Sequence, residues 1–285
     1  MKHRYRRVLA ITTALVGIPT LSSPAHAADP VTELRLYTLD CGVIDAKDMG
    51  SFSDTGEYDG KPGTLVVPCF VIRHPKGTLV WDTGLGDKLA EQAGGVDDDG
   101  DHLRVKSTLV SQLGAIGLAL GDVTYVAFSH FHFDHTGNAN LFTGSTWIVN
   151  KAEVAWATGP GSPTGVVPAT ISSLKSVKTQ PIDGDLDVFG DGSVRILRAP
   201  GHTPGHQVLM LKLRGAGTVI LSGDLYHTRD NRKFGRVPSF NVSRADTLAS
   251  ESRIEKIVAN TKARFVVQHD AADIKALPAF PAYLK

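Results

Sequence analysis

The sequence has no surplus of either charge. Its 30 Lys and Arg residues are balanced by 29 Asp and Glu residues, for a net charge of +1. Without the four basic residues in positions 2–7, 26 basic residues remain against the 29 acidic ones. Proteins that bind nucleic acid or acidic membranes need a basic face. The composition therefore gives no support to a nucleic-acid partner or an acidic-membrane partner.

A long apolar run is also lacking. The N-terminal run, residues 8–21, is shorter than the roughly 20 residues of a membrane-spanning helix. It lies between a basic head and Ala25-His26-Ala27, a pattern typical of a secretory signal peptide. We therefore predict a signal peptide over residues 1–27 and a single domain over residues 28–285, exported to the periplasm or the medium. A membrane anchor fits the short run less well, so we expect no stable membrane insertion.

The export route is open. The pair Arg6-Arg7 weakly resembles a twin-arginine signal, but the rest of that pattern is missing.

Cysteine is scarce, with only Cys41 and Cys69. In an exported protein the two could form a disulfide. A chain of this size can bury enough apolar surface without a cross-link. We therefore predict two separate buried thiols, with a disulfide as the alternative.

The sequence contains no internal repeat, heptad run or low-complexity tract. Alternating or continuous apolar segments predict strands, and longer periodic segments predict helices. The predicted strands cover residues 33–39, 64–73, 77–81, 123–129, 146–149, 193–197, 208–213, 218–221 and 263–267, and the predicted helices cover residues 103–118, 151–157 and 245–259. Polar composition predicts loops over residues 40–61, 94–101, 159–168 and 229–238. Interleaved strands and helices indicate a mixed α/β protein.

The most informative segment is His130-Phe131-His132-Phe133-Asp134-His135. It contains four side chains able to bind a metal ion within six residues, directly after a predicted buried strand. Imidazole nitrogens and carboxylate oxygens are both good ligands for a divalent ion such as zinc. Unpaired polar groups are costly to bury, so this cluster indicates a metal site at a strand end.

Four further polar side chains follow predicted strands in the same manner. They are Asp82, His202, Asp224 and His269. His130 and His132 point to the same side of an extended segment, whereas Asp134 and His135 follow the turn. We predict that His202 joins the first pair, that His269 joins the second pair, and that Asp224 bridges the two.

Two ions would then lie about 3.5–4 Å apart. Zinc is the first choice of metal, and iron, cobalt or manganese would accept the same donors. We call His130, His132 and His202 the first trio, and Asp134, His135 and His269 the second trio. Asp82 is predicted to accept a hydrogen bond from the ring of a ligand histidine.

The complete pattern of His-x-His-x-Asp-His, a later Gly-His, a Gly-Asp and a last His resembles the metallo-β-lactamase superfamily. That resemblance implies an αββα sandwich with the metals in a cleft at the sheet edges. Further segments are similar to N-acyl homoserine lactonases: residues 36–42, residues 68–77, Trp81-Asp82-Thr83-Gly84, Thr203-Pro204-Gly205-His206-Gln207 and Phe280-Pro281-x-Tyr283. The resemblance implies a dinuclear hydrolase that opens the lactone ring of a small acyl lactone by attack of a bridging hydroxide.

In that hypothesis Asp134 holds the nucleophile and passes a proton to the leaving alkoxide. The lactonases place a tyrosine three residues after the bridging aspartate to polarise the carbonyl. Here Tyr226 follows Asp224 by two residues and His227 follows by three, so either could serve. An apolar wall for the acyl chain has five candidates, although core packing would explain any one of them: Met49, Phe52, Phe131, Phe234 and Phe240. Residues 40–61 could form a lid.

Three alternatives remain open. A β-lactamase or a thioesterase would have the same fold, although zinc lactamases usually lack the bridging aspartate. A binding protein with a vestigial site would not need a complete ligand set. Whether the chain forms a homodimer is also open.

Overall fold

The strands form two mixed sheets in a computed structural model that describes residues 31–285. The predicted signal peptide lies outside the described residues. The larger sheet has nine strands. The first eight along the chain are β1 (Arg35–Ala46), β2 (Gly63–His74), β3 (Gly77–Trp81), β4 (Val96–Asp98), β5 (Asp101–Arg104), β6 (Tyr125–Ala127), β7 (Thr146–Asn150) and β8 (Thr179–Ile182). In the sheet these eight strands lie in the order β4-β5-β1-β2-β3-β6-β7-β8.

The smaller sheet has five strands, in the order β13-β12-β11-β10-β9. They are β9 (Leu186–Asp187), β10 (Val194–Arg198), β11 (Gln207–Leu213), β12 (Gly217–Leu221) and β13 (Arg264–Val266). The ninth strand of the larger sheet is β14 (Tyr283–Leu284), which pairs antiparallel with β1.

Alternating apolar side chains bury both faces of each sheet. In β11, Leu209 and Leu211 face the core between the sheets, whereas Val208 and Met210 face the outer core of the smaller sheet. This two-residue period is what a strand covered on both faces requires. Because Leu209 is fully buried, Leu209→Ala would cost about 2–5 kcal/mol of folding free energy.

The described residues form six α-helices. They are α1 (Leu109–Ala115), α2 (Phe133–Thr136), α3 (Lys151–Ala157), α4 (Arg229–Phe234), α5 (Arg244–Thr261) and α6 (Ala271–Lys275). Apolar residues of α1 and α3 pack on the larger sheet, and those of α5 pack on the smaller one. The layers are thus helix, sheet, sheet and helix, which confirms the predicted αββα sandwich. Within residues 31–285, none of the helices combines the length and apolarity needed to cross a bilayer.

Two parallel strand pairs determine where the polar strand ends meet. In the larger sheet β3 is parallel to β6, and in the smaller sheet β12 is parallel to β13. Asp82 follows β3, the His130 segment follows β6, Asp224 follows β12 and His269 follows β13. Parallel strands have their carboxyl ends at one edge of their sheet. The distance of 3.2 Å between His135 Nε2 and His269 Nε2 shows that these edges of the two sheets meet.

Cys41 and Cys69 form a disulfide, so the prediction of two separate thiols was wrong. Strand β1 pairs antiparallel with β2, with Leu39 opposite Cys69 and an irregularity between Asp40 and Val43. This register brings the two cysteine Cα atoms to 5.7 Å, within the range for a disulfide. Chain size determines whether a cross-link is needed, whereas strand register determines whether one can form.

Three predicted boundaries were also wrong. Residues 40–61 are not one loop, because β1 continues past its irregularity to Ala46 by pairing with β2. Residues 94–101 are not a loop, because β4 and β5 form a hairpin that joins the sheet through β1. The predicted helix over residues 103–118 is shortened to α1, since Leu103 pairs with Ile44.

The predicted active-site loop over residues 229–238 contains helix α4. Thr228 caps the helix by accepting a hydrogen bond from the Asn231 N–H, and Asn231 accepts one from the Thr228 N–H in return. Gly235 ends the helix at a φ of 65°, a left-handed conformation that favours glycine. Both capping residues are visible in the sequence, but the segment was predicted as a loop from its polar composition.

Candidate metal centre

The first trio converges at the edge of the sandwich. The Nε2 atom of His202 lies 3.1 Å from His130 Nε2 and 3.0 Å from His132 Nδ1. His202 Nδ1 donates to Asn241 Oδ1 at 2.9 Å, so its Nε2 is an unprotonated donor atom when the ring is neutral. Converging nitrogen lone pairs repel one another unless a proton or a cation lies between them.

The second trio forms a similar group beside the first. His135 Nε2 lies 3.2 Å from His269 Nε2, and Asp134 Oδ2 lies 3.3 Å from His135 Nε2 and 3.5 Å from His269 Nε2. Asp134 and His135 belong to α2, which turns them away from His130 and His132. The structure groups these side chains as the sequence predicted, with His130 and His132 in one group and Asp134 and His135 in the other.

Asp224 lies between the trios and presents a different oxygen to each. Its Oδ1 is 3.0 Å from His269 Nε2 and 3.2 Å from His135 Nε2. Its Oδ2 is 3.4 Å from His202 Nε2 and 3.7 Å from His130 Nε2. One carboxylate can therefore contribute an oxygen to each of two neighbouring ions.

The donor set fits divalent metal ions. Ligand atoms about 2.0–2.1 Å from a tetrahedral zinc ion are separated by roughly 3.3 Å, close to the separations within each trio. Nitrogen and oxygen donors suit zinc, iron, cobalt and manganese. The two buried groups are consistent with a dinuclear centre.

Asp82 supports the second trio. Its Oδ2 accepts a hydrogen bond from His135 Nδ1 at 3.0 Å, as predicted, and its Oδ1 accepts one from the Ser129 N–H at 2.6 Å. Asp82 has a φ of 56°, a left-handed conformation that few residues other than glycine, asparagine and aspartate adopt. Gln268 donates to Asp82 Oδ2 at 2.9 Å, so the aspartate is held from several sides.

His206 and Gly223 position the shared aspartate. His206 Nδ1 donates to the Ala199 carbonyl at 2.8 Å, so its Nε2 can accept the Asp224 N–H, also at 2.8 Å. Gly223 has a φ of 50°, and a Cβ atom there would lie 2.6 Å from His206 Nε2 and 2.7 Å from Ser129 Cβ. Only glycine permits this approach of the chain.

The two trios differ in how their histidines hold protons. Burial is the largest influence on the pKa of every histidine in the two trios. It lowers the pKa of all three first-trio histidines, and that of His132 falls to about 4. Burial also acts to lower the pKa of His135 and His269, but the charges of Asp134 and Asp224 outweigh it and raise both. The pKa of Asp134 falls to about 2 because His135 outweighs its burial.

Tyr226 and His227 point to different parts of the molecule. The Tyr226 hydroxyl donates to Glu255 Oε1 at 3.3 Å, and its ring packs in the outer core of the smaller sheet. His227 Nε2 lies 3.0 Å from Asp224 Oδ2, and the ring lines the cleft above the centre. The structure therefore brings His227, but not Tyr226, to the predicted position.

The cleft above the centre has a cavity of about 360 Å³. Of the predicted wall residues, Phe52 and Phe240 line it, while Met49 and Phe131 are buried in separate cores and Phe234 is exposed. The complete apolar lining consists of Ile44, Phe52, Leu65, Phe133, Trp156, Pro163, Phe240 and Val242. Among the described residues, neither lysine nor arginine lines the cleft, whether beside its apolar or its polar wall.

The sequence reasoning missed Glu153, which is 2% exposed at the start of α3. Burial, the largest influence, raises its pKa to about 7, although hydrogen bonds to the carboxylate oppose this. An acidic residue in the first turn of a helix is ordinary, so the sequence contained no signal that distinguished it.

A sandwich of two mixed sheets with buried His and Asp groups at one edge defines a metal-dependent hydrolase. The chain belongs to the metallo-β-lactamase superfamily, whose family model matches residues 62–269. The N-acyl homoserine lactonase AttM of Azorhizobium caulinodans is 30% identical over 264 residues, covering 89% of this chain and 99% of that protein. The N-acyl homoserine lactonase AiiA of Bacillus thuringiensis subsp. kurstaki is 29% identical over 262 residues, covering 89% of this chain and 100% of that protein.

A solved structure gives the same result. An N-acyl homoserine lactone hydrolase with N-hexanoyl-L-homoserine bound at its catalytic metal centre matches with a TM-score of 0.77 at 26% identity, covering 89% of this chain and 100% of that one. The fold of this chain is therefore the one found in known lactonases.

Proposed function

We propose that this protein is an N-acyl homoserine lactonase with two divalent ions, of which zinc is the first choice. The main supporting observation is Asp224, whose two oxygens face two separate buried trios beneath an apolar cleft. Ions bound there would lower the pKa of a water molecule from 15.7 to about 7 and supply a nucleophile at neutral pH. The similarity to lactonases over most of the chain supports the same substrate class.

The side chains of the centre have distinct roles in this proposal. The trios and Asp224 hold the ions. Asp134, ionised because its pKa is about 2, lies at the cleft floor and can accept a proton from the attacking water. The same carboxylate then returns the proton to the leaving alkoxide as the lactone opens. His227, whose ring lines the cleft, would donate to the substrate carbonyl oxygen.

The cleft supports a neutral acyl substrate over the two alternatives. Penems and glutathione thioesters carry carboxylates, which need a cationic partner in addition to the two ions that would bind the reacting carbonyl. No lysine or arginine is among the described residues that line the cleft, and Asp101 stands at its wall. An uncharged acyl lactone needs only the apolar lining.

Parallel assays of one purified preparation test the substrate. The metal-loaded protein is given N-hexanoyl homoserine lactone, N-decanoyl homoserine lactone, a penem and a glutathione thioester under identical conditions. We expect the highest kcat/KM on an acyl homoserine lactone. A higher value on the penem or the thioester would replace the proposal by that alternative, and a protein that binds no metal would indicate a vestigial site.

Two matched variants test the carbonyl contact. His227→Phe should lower kcat on the lactone about 10²–10³-fold, the usual cost of removing one donor to a developing oxyanion. Tyr226→Phe should change kcat less than about twofold, because the hydroxyl contacts Glu255 outside the cleft. The reverse order of effects would assign the contact to Tyr226.

Export is also part of the proposal. The Cys41–Cys69 disulfide supports it, because disulfides persist in oxidising compartments. Cell fractionation and N-terminal sequencing should find a mature chain that begins at Ala28 outside the cytoplasm. An uncut cytoplasmic chain would contradict export, and light scattering of the purified protein would decide between monomer and homodimer.

A further inference from the structure

Glu153 forms hydrogen bonds to two loops that contain ligands of the first trio. Its Oε1 accepts the Phe131 N–H at 2.8 Å, and its Oε2 accepts the Gly205 N–H at 2.9 Å. Phe131 lies between His130 and His132, after a strand of the larger sheet. Gly205 lies in the connection between β10 and β11 of the smaller sheet, three residues after His202.

The approach of the Gly205 loop to α3 is unusually close. A Cβ atom at Gly205 would lie 2.4 Å from the Glu153 N atom and 2.5 Å from its Cβ. Only glycine allows the backbone to reach the carboxylate there. The N-terminal turn of α3 and this loop are therefore in close van der Waals contact, and the Gly205 hydrogen bond to Glu153 also joins them.

The second trio is held by other groups. His135 donates to Asp82, its carbonyl accepts from the Thr83 N–H at 2.8 Å, and His269 Nδ1 donates to the Val66 carbonyl at 2.8 Å. Among the described residues, none of the hydrogen bonds of Glu153 reaches these segments.

We propose that Glu153 is a positioning residue that joins the two ligand loops of the first trio and thereby controls metal affinity there, without touching the ion. A carboxylate suits this task because its two oxygens can each accept a backbone N–H, and both loops would otherwise leave a buried donor unpaired. The inference rests on the two-metal centre of the proposed function and is independent of the lactone substrate.

The test uses metal retention. His269→Ala and His202→Ala provide backgrounds in which only the first or only the second trio remains complete. Each is combined with Glu153→Ala, and affinity for zinc is measured by competition with a chromogenic chelator. Glu153→Ala should weaken binding about 10–100-fold in the His269→Ala background, the usual effect of removing a group that orients ligands. In the His202→Ala background it should leave the affinity unchanged within about twofold.

Glu153→Gln and Glu251→Gln complete the experiment. Glu153→Gln keeps one accepting oxygen, so it should cause an intermediate loss of zinc affinity in the His269→Ala background. If Glu153→Ala does not fold, this variant tests the positioning role in its place. Glu251 is a buried glutamate of α5 that bonds neither ligand loop, and Glu251→Gln controls for loss of a buried carboxylate.

Equal weakening of zinc binding by Glu153→Ala in both backgrounds would show a general effect on the fold, and no weakening in either would show that Glu153 does not position the loops. A catalytic failure with normal metal affinities would overturn the proposed substrate alone.

Discussion

The two trios have similar spacings but different electrostatic surroundings. The first trio consists of three histidines, and two of their rings contact the neutral groups Ser129 Oγ and Asn241 Oδ1. The second trio includes one carboxylate, and His135 donates to a second carboxylate, that of Asp82. Negative charge at the second trio raises the pKa of its histidines, whereas burial lowers the pKa of those in the first. Two neighbouring sites can therefore differ in how strongly protons compete with the metal.

The largest effect should come from removing the feature that the trios share. Asp224→Ala would deprive both proposed ions of a ligand oxygen, and metal ions contribute several kcal/mol to transition-state stabilisation. We expect kcat/KM on an acyl homoserine lactone to fall about 10³-fold or more, with loss of bound metal. Asp97→Asn, which removes an exposed carboxylate bonded to His102, is the control and should change neither quantity. Retention of two ions by Asp224→Ala would contradict the bridging role.

Removal of the disulfide should affect the second trio more than the first. Leu85 donates its N–H to the Cys41 carbonyl, and the same loop holds the His135 carbonyl through Thr83. Replacing both Cys41 and Cys69 by serine should lower the free energy of unfolding by about 3 kcal/mol, because the cross-link closes a loop of 28 residues. Urea unfolding of metal-free protein measures this loss. A serine double variant as stable as the parent, or one that loses first-trio metal preferentially, would contradict this account.

Asp82→Asn tests the asymmetry directly. The exchange removes the carboxylate that accepts from His135, so second-trio affinity should fall about 10–100-fold while first-trio affinity stays constant. Chelator competition in the His202→Ala and His269→Ala backgrounds separates the two sites. Asp191→Asn is a matched control, because Asp191 accepts from His74 in another Asp–His pair away from the centre. Equal loss at both sites would show that Asp82 supports the whole edge of the sandwich.

The smallest expected effect is the order in which acid removes the ions. A proton and a cation compete for the same nitrogen, so metal affinity begins to fall at the pH where the ligand becomes protonated. The raised pKa of His135 places this loss at a higher pH for the second trio, and the lowered pKa of His132, about 4, delays it for the first. Dialysis at stepwise lower pH, with metal analysis of both single-site backgrounds, should show that the second trio empties first. Loss of metal from both trios at the same pH would contradict the electrostatic difference between them.

Much of the sandwich could be predicted because local patterns were strong. The helix Lys151–Ala157 and the strand Gly77–Trp81 were predicted with their observed bounds. The prediction failed where pairing distant in sequence determined the local structure. Leu103 was assigned to a helix by its apolar spacing, but it pairs with Ile44 in the sheet.

The sequence alone determined the ligand types and their division into two groups. Chain geometry over a few residues makes His130 and His132 face one point and turns Asp134 and His135 towards another, whatever surrounds them. Tertiary structure decided three other matters: the Cys41–Cys69 bond, which of Tyr226 and His227 lines the cleft, and the two loops bonded by Glu153. Each depends on which backbone segments from distant parts of the chain meet, and strand register and sheet packing determine that, not local preference.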